Sequence, residues 1–238
     1  MRFDTRDGLR LPGEASSLPL SIRSPGGRSP LALICSVSAT SVLEPVTGYD
    51  FPSRLCFEMS DDIHHCPRLC GVGTRQKRLV GVKQLHVYAL GLYVSEDYVP
   101  EDARMWDDEL VGRSDVDKII SIVISSGFVS RKKFVNALDD ALLPAVKATS
   151  SEATLNRFRD LFDNVAFKKG LHIDFYLRDG KLTTKVDGRA LGTLSDPYFT
   201  SAFAGVYLGA DPVSPKAKEA FRKGILDDVE RQKRGPEN

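Results

Sequence analysis

Six consecutive residues, Ile119-Ile-Ser-Ile-Val-Ile124, are β-branched apart from one serine. Successive side chains of a strand point to opposite faces. A run with no polar alternation therefore suits a central strand buried on both faces. Any fold this chain adopts has to supply a sheet with something packed on each side of that strand.

The flanking segments supply the rest of the sheet. Tyr49 to Met59 reads as a first strand. Residues 71–80 and 84–95 alternate as a long hairpin, reversing near Gly81-Val82. Leu85, Val87 and Ala89 are expected on one face and His86, Tyr88, Leu90 and Leu92 on the other. Leu171, Ile173, Phe175 and Leu177 alternate with His172, Asp174, Tyr176 and Arg178, a strand with one wet face. Asp179-Gly180 and Asp187-Gly188 are hairpin turns, giving a three-stranded meander over 171–194.

Helices fall between and after these strands. Pro100 to Leu110 reads as one. Ser130 caps another whose Phe134, Leu138, Ala141 and Leu142 share a face, and Pro144 should kink or end it. Thr149-x-x-Glu152 reads as a capping box opening a helix that buries Leu155, Phe158, Phe162 and Val165. Asp196-Pro197 starts the next, which Gly209 stops, and Ser214-Pro215 starts the last, which runs to about Arg231. The fold class is α+β: a large antiparallel sheet with helices layered on one face.

Composition sets bounds rather than chemistry. In 238 residues, 33 basic and 32 acidic side chains nearly cancel, which gives no electrostatic reason to expect nucleic acid. No apolar run approaches the roughly 18–20 residues of a membrane span. Four cysteines in so long a chain predict no disulfide scaffold, and a reducing compartment is the default. His64-His65-Cys66-x-x-x-Cys70 lacks the second, distant ligand pair of a structural zinc site, so no metal and no cofactor are expected. Gly71-x-Gly73 is too short for a nucleotide loop.

The N-terminus differs in character. Residues 15–43 have no Asp or Glu but are rich in serine and contain Arg23 and Arg28, a composition that matches an organelle transit peptide. The chain is thus divided into a disordered targeting segment over 1–43, a folded domain over 44–231 and a disordered tail over 232–238. A monomer is expected.

The residues that suggest chemistry are Arg75 and Tyr88. The hairpin would set them opposite each other, with Cβ atoms roughly 5 Å apart. A guanidinium beside a phenol in an apolar interior suits one carboxylate, held by charge-assisted hydrogen bonds. The alternative is an arginine capping a sheet edge beside a core tyrosine.

Three separated motifs, in order, resemble the chalcone isomerase superfamily: Gly71-x-Gly-x-Arg75, Val87-Tyr-Ala-Leu-Gly-Leu-Tyr93 and Tyr207-Leu-Gly-Ala-Asp-Pro-Val-Ser-Pro-Lys-Ala-Lys218. The likeness covers roughly 45–225. It implies an open-faced β-sandwich, a large antiparallel sheet covered by helices. The superfamily includes chalcone isomerases, non-catalytic isomerase-like proteins and plastid fatty-acid-binding proteins.

Catalytic members use an Arg to orient the phenolate, a Thr and a Tyr to polarise the ketone, and an Asn with a Ser or Thr at the far end. Arg75 matches the first, and Thr200 aligns with the final Ser or Thr. Tyr88 replaces the Thr, Phe134 the Tyr and Ala141 the Asn. One lost donor of this kind costs on the order of 10²–10³ in rate. The thirteen-residue spacing from Arg75 to Tyr88 is that of the fatty-acid-binding branch, where such a pair grips the acyl carboxylate. The resemblance therefore implies a plastid-stromal fatty-acid-binding protein with Arg75, Tyr88 and Thr200 as ligand-binding residues and no catalytic ones. Its tail tunnel would lie between the Tyr88 face of the sheet and helices bearing Leu138, Leu155, Phe158 and Phe162. The alternatives are a chalcone–flavanone isomerase (an intramolecular lyase) or a non-catalytic partner protein of flavonoid metabolism.

Overall fold

The structure, a computed structural model, describes residues 40–58, 64–79 and 82–234. Six strands form one antiparallel sheet: β5 (Arg68–Leu79), β6 (Val82–Val94), β7 (Lys118–Ile124), β8 (His172–Arg178), β9 (Lys181–Val186) and β10 (Arg189–Ser195), lying side by side in sequence order. Five helices accompany them: α1 (Trp106–Gly112), α2 (Arg131–Thr149), α3 (Glu152–Asp160), α4 (Pro197–Leu208) and α5 (Pro215–Arg234). The architecture is the expected α+β sheet with helices.

β7 is the central strand that the isoleucine run demands. All seven of its residues are buried. Ile120, Ile122 and Ile124 join the large core under the helices, with Phe158, Phe162, Phe175 and Phe203. Ile119 and Val123 face the opposite side, with Phe51, Tyr93 and Tyr176.

That second face is covered by the segment before the sheet. Instead of one strand over Tyr49–Met59, four short strands form two small hairpins: β1 (Ser41–Leu43) with β2 (Asp50–Pro52), and β3 (Phe57–Glu58) with β4 (His64–His65). Phe57 packs edge-on against Tyr176, with ring centroids 4.9 Å apart. The face of β8 expected to be wet is therefore partly closed, and Tyr176 is buried. The expected domain start at residue 44 cuts through the β1–β2 hairpin, so Ser41–Leu43 belongs to the fold. The rest of the expected targeting segment, residues 1–39, lies outside the described residues. At the other end α5 continues to Arg234, past the expected boundary at 231; only 235–238 of the expected tail lie outside the described residues.

One disulfide, Cys56–Cys66, joins the residue preceding β3 to the residue following β4. The cysteine count did not anticipate it. It also commits the Cys66 sulfur of the histidine–cysteine cluster, while the His65 Nδ1 lies 2.8 Å from an Asp117 carboxylate oxygen, which accepts the hydrogen bond.

Local chemistry accounts for most helix ends and turns. Asp179, Gly180, Asp187 and Gly188 all have positive φ, as two-residue hairpin loops require. Asp196 caps α4 by accepting from the Phe199 N–H at 3.0 Å, with Pro197 at the first helical position. Ser130 caps α2.

Three local expectations are modified by the tertiary structure. α2 runs through Pro144 to Thr149, because Leu142 and Val146 on either side of it are fully buried and hold the helix on the core. The Thr149–Glu152 capping box does not form: Thr149 ends α2, and its hydroxyl donates to the Ala145 carbonyl at 3.0 Å. A shorter α1 than expected starts at Trp106, whose ring is buried, rather than at Pro100.

Candidate functional site

The Gly71-x-Gly-x-Arg75 motif is explained by α5. A Cβ added at Gly71 would come 2.7 Å from the Ala220 carbonyl oxygen, and one at Gly73 2.6 Å from the Ala217 Cβ. The two glycines let α5 lie directly on β5. Ser214, just before α5, donates to the Thr74 carbonyl at 2.7 Å and so pins the start of the helix there. One residue further along β5, the covered part of the strand ends and Arg75 begins.

Arg75 pairs with Tyr88 across β5 and β6, as the spacing predicts. Its Nη1 donates to the Tyr88 hydroxyl at 3.4 Å, and its Cζ lies 5.9 Å from the Tyr88 ring centroid. Tyr88 is almost fully buried. Among the described residues Arg75 has no carboxylate partner. Burial disfavours the guanidinium charge, but the adjacent Tyr88 oxygen outweighs it and holds the group above its ordinary range. Burial, opposed by Arg75, pushes the Tyr88 phenol up. At neutral pH the pair is thus a cation beside a neutral hydroxyl.

The register slips immediately after this pair. Arg75 faces Tyr88, yet Gln76 faces His86, leaving Val87 as the extra residue of a β-bulge. A bulge re-aims the side chains that follow it. Leu85 and Val87, expected on the opposite face, line the same cleft as Tyr88. Alternation could not reveal this, because the bulge is a property of the pairing and not of either strand alone.

The cleft has a volume of about 410 Å³. Arg75 and Tyr88 face it from the sheet, and Phe134, Ala137 and Leu138 of α2 form the opposite wall with Phe128 and Val129 of the preceding loop. Lys77, Lys133, Asn136 and Asp140 complete the lining. Phe134 meets Tyr88 edge-on, with centroids 6.2 Å apart. A mostly apolar cleft of this size with a few convergent polar groups is the usual form of a small-molecule site.

Several expected site residues lie elsewhere. Leu155, Phe158 and Phe162 do not line this cleft; they are packed into an aromatic core, Phe158 and Phe162 at 5.4 Å, Phe158 and Phe203 at 5.7 Å. Thr200 is also not brought to Arg75 and Tyr88. It lines a separate groove with Lys118, Arg178 and Pro197, and its hydroxyl has no partner among the described residues. Ala141 is exposed and borders a third groove, between α2 and α4. Only Tyr88 and Phe134, of the three replaced isomerase positions, stand at the cleft. Among the described residues no group of three His, Cys, Asp or Glu side chains is arranged to hold a metal ion.

This fold is that of the chalcone isomerase-like proteins, and the chain belongs to that family, matching it over residues 65–226. It is 26% identical over 200 residues to fatty-acid-binding protein 1 of Arabidopsis thaliana, covering 76% of this chain and 69% of the relative. To fatty-acid-binding protein 2 of the same plant it is 28% identical over 209 residues, spanning 79% of this chain but about half (52%) of the relative. The crystal structure of the Arabidopsis thaliana fatty-acid-binding protein AtFAP1 superposes with a TM-score of 0.66 at 24% identity, covering 80% of this chain and 99% of that one, which establishes the shared fold.

Proposed function

We propose that the protein binds free fatty acids, with the carboxylate held by Arg75 and Tyr88 and the acyl tail lying in the cleft between β5–β6 and α2. The observation that carries this reading is the Arg75 guanidinium, half-buried beside the buried Tyr88 hydroxyl and without a carboxylate of its own. A desolvated cation of this kind gains most from an anion with two acceptor oxygens. The adjoining wall of Val87, Leu85, Phe134 and Leu138 favours an aliphatic tail, at roughly 0.8 kcal/mol per buried CH₂. Two relatives named as fatty-acid-binding proteins support the same ligand class.

Mass spectrometry of an organic extract of the purified protein tests this. Free fatty acids should be recovered in near-stoichiometric amount from wild type and be depleted in Arg75→Ala. Recovery of a polyphenol, or of equal fatty acid from both proteins, contradicts it.

The acid-free, serine-rich stretch over 15–43 supports a plastid location for this activity. Residues 1–45 fused to a fluorescent reporter should enter plastids and be trimmed. A uniformly cytosolic, uncleaved reporter sinks that assignment.

A further inference from the structure

The mouth of the cleft carries an aromatic side chain that the fold turns outward. Phe128, in the loop between β7 and α2, lines the cleft and yet is 73% exposed. A tight turn holds it there. Its N–H donates to the Ser126 hydroxyl at 3.2 Å, its carbonyl accepts from the Lys133 Nζ at 3.1 Å, and the Val129 N–H donates to the Ser126 carbonyl at 3.2 Å. Val129 itself is buried and anchors the turn. Basic side chains surround this tip. Lys77 of β5 and Lys133 of α2 line the cleft with Phe128, and Lys132 is exposed beside Lys133. Lys169 lies at the same end, because the next residue, Gly170, donates to the carbonyl of Ile124, where β7 stops. Among the described residues none of these four lysines pairs with a carboxylate. Arg131 is paired, with Asp163, and Asp140 is the one acid in the cleft lining.

An exposed aromatic ring gains by burial in an apolar medium, and lysines set around it favour a medium whose surface is negative. A bilayer with anionic headgroups offers both at once: the ring enters the boundary between headgroups and acyl chains while the lysines stay among the phosphates. A stable protein partner would need roughly 800 Å² of contact per side around a packed apolar centre, and one aromatic side chain does not supply that centre. We propose that this end of the molecule docks on an anionic lipid surface through Phe128, Lys77, Lys132, Lys133 and Lys169. Docked in this way, the protein opens its cleft toward the apolar phase in which long-chain acids collect. A single ring with a few lysines gives reversible, salt-sensitive attachment, which suits a protein that loads and then leaves. What the surface serves rests on the fatty-acid reading above; the docking itself does not.

The test is co-sedimentation of the delipidated full chain with phosphatidylcholine vesicles, with and without one-third phosphatidylglycerol. It compares wild type, Phe128→Ala and the double variant Lys77→Glu/Lys132→Glu. All three side chains are exposed, so the variants should fold, and every protein carries the same N-terminal segment, so the differences read this end alone. Wild type should bind the phosphatidylglycerol vesicles at least about tenfold more tightly than phosphatidylcholine alone, a preference that high salt removes. Phe128→Ala should bind them about tenfold more weakly, and the charge reversal should abolish the preference. Phe128→Trp should bind like wild type, with its indole emission shifted to the blue on the vesicles. Equal binding by wild type, Phe128→Ala and the charge-reversed variant overturns the proposal, as does unshifted emission. Wild type that sediments with neither vesicle but is retained by immobilised polyglutamate makes this end a protein-binding surface, and overturns it too. Wild type that binds vesicles yet takes up no palmitic acid contradicts the fatty-acid reading and leaves the docking surface in place.

Discussion

The Arg75 guanidinium stands 3.4 Å from the Tyr88 hydroxyl, across adjacent antiparallel strands and at the last regular pair before a β-bulge. The bulge turns Leu85 and Val87 toward the cleft, which sets an apolar wall beside the polar pair. The glycines that precede Arg75 complete the arrangement by letting α5 lie on β5 up to that point and no further.

If the cleft holds the tail, filling it should block binding without unfolding the protein. Ala137 lines it from α2 and is half-buried. Ala137→Phe should reduce affinity for long-chain acids at least tenfold while changing stability by less than about 1.5 kcal/mol. Unaltered affinity would place the tail elsewhere. Fluorescent-ligand titration and urea unfolding supply the two readouts.

The close approach of α5 and β5 makes a second prediction. A Cβ at Gly224 would overlap the Cys70 carbonyl oxygen. Backbone, not a flexible side-chain end, stands in the way, so Gly224→Ala should destabilise by about 1–3 kcal/mol or more, against a gain of a few tenths from helix propensity at an unobstructed site. Urea midpoints decide it, and an unchanged or raised midpoint contradicts the packing.

How much of this was legible in the residues follows from what each signal depends on. The central strand, the meander and its turns, and the Arg75–Tyr88 pairing depend on local patterns: β-branched runs, alternation, Asp-Gly dipeptides and one hairpin spacing. Those readings agree with the structure. The cover on the outer face depends on tertiary contacts of Phe51 and Phe57, which no periodicity announces. Pro144 does not end α2, and the Thr149 capping box does not form, because burial of Leu142 and Val146 holds α2 in place as far as Thr149. Thr200 and Ala141 were placed by likeness of motif; helix rotation sends Ala141 to solvent and Thr200 to another groove.

The pH dependence of stability carries its own signature. Lys118, in β7, is buried, and burial brings its ammonium down to about 8, against the pull of Asp115 and Asp117. Its Nζ donates to the carbonyls of Arg113 and Val116. The unfolded chain holds this proton to about pH 10.4. Between these values it binds more protons than the folded protein, so stability should rise with pH. From pH 7 to 9.5 Lys118 should contribute a gain of about 1–2 kcal/mol, offset in part from about pH 8.5 upward by the buried Cys70 thiol, which burial pushes up to about 12 and which therefore keeps its proton only when folded. Above pH 10 the trend reverses, since Tyr88 and Tyr207 are held above the ordinary tyrosine range and resist ionisation only when folded. Lys118→Met should give a flatter profile between pH 7 and 9.5. Parallel profiles for the two proteins would contradict the assignment.

Catalysis is a further point of decision. With Phe134 beside Tyr88 in the cleft, no hydroxyl from α2 is available there to polarise a ketone. The purified protein should cyclise naringenin chalcone no faster than buffer, within a small factor. Stereoselective turnover on the order of 1 s⁻¹, a modest enzymic rate, would reverse this reading.

The central claim is that Arg75 and Tyr88 jointly hold a carboxylate, and a double-mutant cycle on fatty-acid affinity tests it most directly. Displacement of a fluorescent fatty acid from wild type, Arg75→Ala, Tyr88→Phe and the double variant gives the four values. Arg75→Ala should cost about 2–4 kcal/mol and Tyr88→Phe about 1–2 kcal/mol. The double variant should lose less than the sum, because without Arg75 the head group is no longer held where Tyr88 reaches it. Methyl esters of the same length should bind wild type more weakly than the acids and distinguish little between wild type and Arg75→Ala. Equal affinity of folded wild type and folded Arg75→Ala for the acid would make the pair a structural contact and remove the carboxylate site.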